Sequence, residues 1–170
     1  MKRTATVLAT ILALPTCAHA KAYFAPKAEM IAKSDVIAVV DITHVKSLEP
    51  EKRHGNQLAE ATVREVLKGD AEKGKEMQFK VECFFPCAFT QVSTGQYLVF
   101  LSKNGKELRG DNWHLSYRPI KDGTLDWYKD DTSYTLEKRK LEEVLDEVRK
   151  IVKKPQQPAG GRAEDRAPRP

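Results

Sequence analysis

Two cysteines enclose the segment of this sequence that could do the most chemistry, Cys83-Phe84-Phe85-Pro86-Cys87. A disulfide needs Cα atoms about 4.4–6.8 Å apart, whereas four steps along an extended strand cover roughly 13 Å. Pairing therefore requires the chain to turn back at Phe85-Pro86, which Pro86 favours. We expect a disulfide between Cys83 and Cys87 that pins the end of a strand and adds about 2 kcal/mol of stability on the chain-entropy model.

The alternatives for this cysteine pair are a redox pair or half of a metal site. A redox pair is more usually C-x-x-C at the start of a helix, and neither feature is present. Zinc needs two further ligands, and His44, His54 and His114 show no metal-type spacing to one another. The sequence therefore predicts no metal site.

Other side chains also lack a catalytic arrangement. The serines have no G-x-S-x-G context, and no glycine-rich phosphate-binding motif occurs. Asp130-Asp131 adjoins Trp127-Tyr128, as an acid pair adjoins a stacking aromatic in some glycosidases. Adjacent carboxylates usually point apart, however, and this segment reads as turn chemistry before the next element. We predict a non-enzymatic protein with no catalytic residue and no cofactor.

Aromatic residues concentrate between positions 113 and 134, and aromatic side chains dominate the energetics of interfaces. This cluster is the best candidate surface for an unknown protein or glycan partner. The alternative is that the rings pair across a hairpin and seat a closing helix. The candidate partner-binding residues are Trp113, Tyr117, Arg118, Trp127 and Tyr128.

Residues 1–20 have the pattern of a cleavable signal peptide. Met1-Lys2-Arg3 is basic, Val7 to Leu14 is an apolar run, and Ala18-His19-Ala20 is an A-x-A cleavage site. The mature chain is then expected to begin at Lys21, in the periplasm or outside the cell, with no transmembrane segment.

A lipoprotein anchored through Cys17 is the alternative, although Thr16 is a poor residue to precede a lipidated cysteine. Loss of the signal removes two of 29 basic residues, which leaves 27 against 24 acidic ones and a net charge of +3. This even balance gives no reason to expect a nucleic-acid partner. Residues 21–154 are predicted to form a single domain, and residues 155–170, which hold no large apolar residue, a disordered tail.

Hydrophobic periodicity predicts a mainly β fold that begins with a short helix. Pro26, within the stretch Ala22 to Lys33, is placed to start that helix, which should end near Ser34. β-branched and alternating runs then predict four strands, the last closed by the turn signal Asn104-Gly105. The four strands are Val36–Ile42, Leu58–Leu67, Met77–Glu82 and Tyr97–Leu101.

The last third of the domain is predicted to hold a hairpin and a long helix. Asp122-Gly123 is a two-residue turn signal within Trp113–Tyr128, so a fifth and a sixth strand should pair around it. In that register Tyr117 faces Tyr128, and Arg118 faces Trp127 in a cation-π contact. Leu136–Val152 is predicted to be an amphipathic helix with Thr135 as its N-cap. Its apolar stripe comprises Leu141, Val144, Leu145, Val148, Ile151 and Val152.

Five or six short strands with a short N-terminal helix and a long C-terminal amphipathic helix suggest a small barrel or a strongly curved sheet. The order of three segments around the cysteine pair, which spans about Ala28 to Leu108, resembles the bacterial netrin-like proteins, relatives of the tissue inhibitors of metalloproteinases. The resemblance implies a five-stranded OB-type barrel with flanking helices. The three segments are Ser34-Asp35-Val36-Ile37-Ala38-Val39-Val40-Asp41-Ile42, Val66-Leu67-Lys68-Gly69 and Gly95-Gln96-Tyr97-Leu98-Val99-Phe100-Leu101.

These observations favour an exported binding module without enzymatic activity. The resemblance also raises metalloprotease inhibition, but those inhibitors use a mature N-terminal cysteine, and the sequence from Lys21 onwards offers none there. A thiol/disulfide redox protein that uses Cys83 and Cys87 is the third hypothesis.

Overall fold

The structure is a computed structural model that describes residues 24–52, 54–83, 90–131 and 134–154. The predicted signal peptide with Cys17, the expected first mature residue Lys21, the second cysteine Cys87 and the tail at 155–170 lie outside the described residues. Within them the chain forms helices α1 (Lys27–Lys33) and α2 (Leu141–Lys153) and strands β1 (Val36–Ser47), β2 (Gln57–Lys68), β3 (Glu76–Val81), β4 (Gly95–Asn104), β5 (Glu107–Arg109), β6 (Tyr117–Pro119), β7 (Thr124–Tyr128) and β8 (Leu136–Lys140).

Five of the strands close into a barrel. Their order is β1-β2-β3-β5-β4, and β4 pairs back with β1 to complete the circle. Neighbouring strands are antiparallel except β3 and β5, which are parallel. The protein is therefore mainly β, with a closed five-stranded barrel and two helices, and its strand order is compatible with the expected OB-type barrel.

The leading helix and the first four strands lie where hydrophobic periodicity predicts them. α1 begins at Lys27, immediately after Pro26, and its last turn is closed by Ser34, whose Oγ donates to the Met30 carbonyl at 2.7 Å. β1 continues five residues beyond Ile42 because its polar second half pairs with β2 as far as Ser47. Ala59, Ala61 and Val63 form the buried face of β2.

Two hydrophobic cores lie on opposite faces of β1 and β4. Alternate residues of these strands point into the barrel or outwards under the helices, so residues 36–40 of β1 and 97–101 of β4 are buried on both faces. The barrel interior comprises Val36, Ala38, Val40, Ile42, Ala59, Ala61, Val63, Phe79, Val81, Val92, Tyr97, Val99, Leu101 and Tyr117. The helix-side core comprises Met30, Ile31, Ile37, Val39, Leu98, Phe100, Leu115, Ile120, Leu125, Trp127, Tyr128, Val144, Leu145 and Val148.

The predicted hairpin around Asp122-Gly123 is correct at its turn and wrong in its strands. Both turn residues have positive φ, at 49° and 69°, and Lys121 pairs with Thr124 across them. Beyond that pair the two arms separate, because β6 pairs with β4 whereas β7 pairs with β8. The Trp113–Ser116 segment is a 3-10 helix and not part of a strand.

The C-terminal helix is shorter than predicted. Residues 136–140 form β8, which pairs along the whole of β7, and the helix begins at Leu141 after Lys140 rather than after Thr135. This segment carries only one apolar residue, Leu136, so a helix there would bury almost nothing, whereas the strand satisfies the open edge of β7. The predicted apolar stripe is confirmed, since Val144, Leu145 and Val148 are buried and its other members pack partly against them.

Neither of the helices in the described ranges has the length and apolar character that a membrane span requires.

Candidate functional site

Most of the predicted aromatic contact surface is buried. Trp127 and Tyr128 are 0% exposed in the helix-side core, while Tyr117 is 4% exposed in the barrel interior. These three side chains therefore offer a partner almost no accessible surface in this fold. Trp127 and Tyr128 instead fit the alternative stated above, because they pack in the core on which the closing helix α2 lies.

Arg118 is buried as well, and it does not stack on Trp127. Its Nε donates to the Asp126 carbonyl oxygen at 2.8 Å, and its Nη2 donates to the same oxygen. Burial lowers the pKa of the guanidinium from its ordinary value. The predicted pairs Tyr117–Tyr128 and Arg118–Trp127 are absent because β6 and β7 have different strand partners.

Tyr128 makes the helix-side core sensitive to alkaline pH. Its hydroxyl lies 3.1 Å from Asn112 Nδ2, and burial raises its pKa to about 12. Because the folded pKa lies above the ordinary value of about 10, its contribution to stability is complete below pH ~10 and is lost as the pH rises towards ~12.

We expect Tyr128→Phe to reduce the loss of unfolding free energy between pH 8 and pH 11.5 by about 1–2 kcal/mol. Urea unfolding at the two pH values measures this loss. Tyr134→Phe is the control, because Tyr134 is 46% exposed. Equal losses for wild type and Tyr128→Phe would show that Tyr128 ionises freely in the folded protein.

One half-exposed member of the predicted cluster remains, Trp113, and it belongs to a group of rings at one end of the molecule. Phe24 is its centre, with ring centroids 6.4 Å from Trp113, 5.7 Å from His114 and 5.8 Å from Tyr134. We call Phe24, Trp113, His114 and Tyr134 the ring group.

The cysteine pair is described only at its first member. Cys83 is half-buried and has no disulfide partner among the described residues, while Cys87 lies outside them. The Cys83 backbone N–H donates to the Asn56 side-chain oxygen at 2.9 Å, which ties the end of β3 to the loop before β2. The predicted bridge stays a prediction.

The three histidines considered as metal ligands in the sequence lie in different surroundings. His44 is exposed, and the His54 ring lies 3.5 Å from the Gln91 amide. Burial, followed by the charge of Arg118, lowers the pKa of His114. Across the described ranges no three His, Cys, Asp or Glu residues come together as a set of metal ligands.

A groove of about 380 Å³ opens on the barrel surface where β3 and β5 meet. We call it the β3–β5 groove. It has an apolar floor and a polar rim, and one exposed leucine stands at its edge. Its lining residues are Leu48, Leu58, Gln78, Phe79, Lys80, Lys106, Glu107 and Leu108.

The floor of the groove is held rigidly from inside the barrel. Phe79 is 1% exposed and stacks on Tyr117, with ring centroids 5.7 Å apart. The Tyr117 hydroxyl donates to the Lys80 carbonyl at 2.9 Å and accepts from the Gly110 N–H at 2.7 Å. Burial raises the pKa of this hydroxyl, so it stays a neutral donor at physiological pH. These contacts therefore support the groove from beneath.

The β1–β2 loop places Leu48 at the rim. The Glu49 carboxylate accepts from the Asn56 N–H at 2.9 Å and pairs with Lys52 Nζ at 2.5 Å, and the Leu48 N–H donates to the Asn56 carbonyl at 2.8 Å. The hydrogen bond from Asn56, followed by that from Lys52, lowers the pKa of Glu49. Leu48 remains 43% exposed although these contacts hold both ends of the loop together.

Charges of both signs border the groove. Glu82 lies 3.3 Å from Lys80 Nζ and 3.5 Å from Arg109 Nη1, so one carboxylate serves both strands. Lys106 and Glu107 are exposed at the β4–β5 turn. These groups can donate and accept hydrogen bonds and pair with charges, and the floor can bury apolar groups.

Sequence reasoning missed the groove. Leu48 is an apolar residue in a polar loop, which was the available signal. β5 comprises three residues after the Asn104-Gly105 turn signal and is too short for periodicity to reveal.

Comparison with known proteins adds no relative, since neither models of protein families nor curated proteins match this chain.

Proposed function

We propose that this chain is an exported, non-enzymatic binding module, and that the β3–β5 groove takes a protein or glycan partner. The observation that carries the proposal is the exposed Leu48 beside the half-buried Leu58 and Leu108, in a groove that Phe79 supports from beneath. Its volume of about 380 Å³ lies within the range of natural ligand sites.

The barrel supports this location for the site. OB-type barrels bind ligands on the face of strands 2 and 3 and with the loops that join strands 1–2 and 4–5. The β3–β5 groove is built from the same elements: Leu48 comes from the β1–β2 loop, Leu58 and Phe79 from β2 and β3, and Lys106 from the β4–β5 turn. The resemblance to netrin-like proteins favours the same barrel.

The experiment compares the two large apolar side chains that the described residues expose. The purified protein is screened on glycan arrays and against envelope and extracellular proteins, and the Kd of the captured ligand is measured. We expect Leu48→Ser to weaken binding about tenfold, because it removes an apolar contact at the rim. Tyr134→Ser, at 46% exposure in the ring group, should leave the Kd unchanged.

The reverse pattern would overturn the placement of the site. If Tyr134→Ser weakened binding while Leu48→Ser did not, the ring group would be the contact surface. A ligand whose Kd responds to neither substitution would also contradict the assignment to the groove.

A further inference from the structure

β3 has little strand pairing on the side that faces the groove. It pairs with β2 along its whole length, from Glu76 to Val81. On its other side, a single pair joins it to β5 in the described residues, Lys80 with Arg109. The part of β3 before Lys80 therefore borders the β3–β5 groove without a ladder to β5.

The hydrogen-bonding pattern shows which backbone groups face the groove. Just beyond the pair Thr62–Glu76, the Val63 N–H donates to the Lys75 carbonyl at 3.0 Å. Because hydrogen-bonded and non-hydrogen-bonded pairs alternate in antiparallel strands, Glu76, Gln78 and Lys80 direct their backbone groups away from β2. The Lys80 carbonyl, which accepts from the Tyr117 hydroxyl, fits this pattern.

β5 presents a matching group on the opposite bank. Asn104 and Glu107 close the two-residue β4–β5 turn, and this closing pair is hydrogen-bonded. By the same alternation, Leu108 directs its backbone groups away from β4 and towards β3. Gln78 and Leu108 thus face each other across the groove, yet no pairing joins them.

We propose that the partner enters the β3–β5 groove as an extended peptide strand that hydrogen-bonds the backbone of Gln78 on β3. This inference rests on the proposed function and selects a peptide over a glycan. An unpaired strand edge is a ready template for another strand. A peptide supplies N–H and C=O groups at the spacing that a β edge requires, whereas a glycan does not.

The side chains of the groove define the peptide further. Successive side chains of a strand alternate between two faces. One face would meet the half-buried Leu58 and Leu108 and the exposed Leu48, so the partner should carry apolar residues at alternate positions. The other face would meet solvent beside Lys106. About four peptide residues suffice to follow the free edge.

The test uses a peptide selected from a random-peptide display library on the immobilised protein. Gln78→Pro removes a backbone N–H that does not serve β2, and proline is tolerated on such edges. We expect it to weaken binding of the selected peptide about tenfold. Gln78→Ala is the matched control; it removes the side chain, which donates to Glu60 at 3.2 Å, but keeps the backbone N–H, so it should weaken binding clearly less than Gln78→Pro.

A second measurement does not depend on the folding of the proline variant. In the wild-type protein the Gln78 amide should exchange quickly with deuterium and become at least about tenfold slower when the peptide binds, while the Met77 amide, which faces β2, is protected throughout. N-methylation of alternate amides of the peptide should abolish binding.

Three results would overturn the strand proposal: no selected peptide, equal binding of the N-methylated peptide, or unchanged exchange at Gln78. Binding of a glycan or a folded protein that still depends on Leu48 would then retain the proposed function alone. If no ligand depended on Leu48, both the strand proposal and the proposed function would be contradicted.

Discussion

Replacing Trp127 by alanine is expected to lower the free energy of unfolding by about 3–5 kcal/mol, the cost of deleting a buried indole from a packed core. Trp127 is 0% exposed, stacks on Phe100 at 5.7 Å and meets Tyr128 edge-on at 5.4 Å. Its Nε1–H also donates to Glu147 at 3.2 Å. Since domains are stable by only about 5–15 kcal/mol, the variant should be close to unfolding at 37 °C. Urea unfolding followed by circular dichroism measures the loss.

Trp127→Phe separates packing from hydrogen bonding. Phenylalanine retains much of the apolar contact and loses the N–H, so the expected cost is about 1–2 kcal/mol. Trp113→Ala, on a half-exposed ring, is a second control and should cost less than Trp127→Ala. A Trp127→Ala protein within 1 kcal/mol of wild type would contradict the assignment of this residue to the core.

Glu147→Ala should cost about 3 kcal/mol, because Glu147 joins four elements through one carboxylate. It accepts from Trp127 on β7, from Arg139 Nη1 on β8 at 2.8 Å and from the Lys27 ammonium on α1. Lys27 is only 4% exposed, and removing one partner of a buried charge is strongly destabilising. Such a loss typically costs about 3–5 kcal/mol. We expect the lower value because Asp131, 2.6 Å from Lys27, remains as a partner.

The charge on Lys27 depends on these acidic partners. Burial acts to lower its pKa, but the hydrogen bonds to Asp131 and Glu147 outweigh burial, so the net shift is upwards. Glu143→Ala is the matched control: it lies one turn earlier on α2, is about half exposed and reaches Arg139 only at 3.8 Å. It should change the free energy of unfolding by less than about 0.5 kcal/mol. Equal melting temperatures for the two variants would show that the Glu147 network adds no stability.

Local patterns in the sequence were sufficient for elements that one hydrophobic face defines. The alternation of Phe79 and Val81 in β3 and the stripe of Val144, Leu145 and Val148 in α2 both record which side is buried. Asp122-Gly123 likewise identified its turn, because positive φ at both positions is a local requirement.

The sequence did not show in the same way which distant strands pair with each other. β6 comprises three residues and pairs with β4, some twenty residues earlier, whereas the turn signal next to it favours pairing with β7. Burial of Tyr117 in the barrel interior and of Trp127 in the helix-side core separates the two arms, and neither core is visible in a sequence window. The aromatic residues are indeed concentrated in this region. Trp127, Tyr128 and Tyr117 are there because they pack in the two cores, and they do not form an exposed surface.

The candidate site was beyond sequence reasoning for a related reason. It arises where the barrel closes, between strands that are adjacent in space and not in the chain. Leu48, Gln78 and Leu108 come from three separate segments and carry no shared motif. Such a groove becomes visible only when the order of the strands is known.

Strands β1 and β4 separate the two hydrophobic cores, and this arrangement affects how the protein can evolve. Ile37 and Val39 serve the helix side, while their immediate neighbours Val36 and Ala38 serve the barrel interior. Substitutions on opposite faces share few contacts, so their energetic effects should be close to independent. Natural selection can therefore change side chains in the helical layer while the barrel that carries the groove keeps its own complement of side chains.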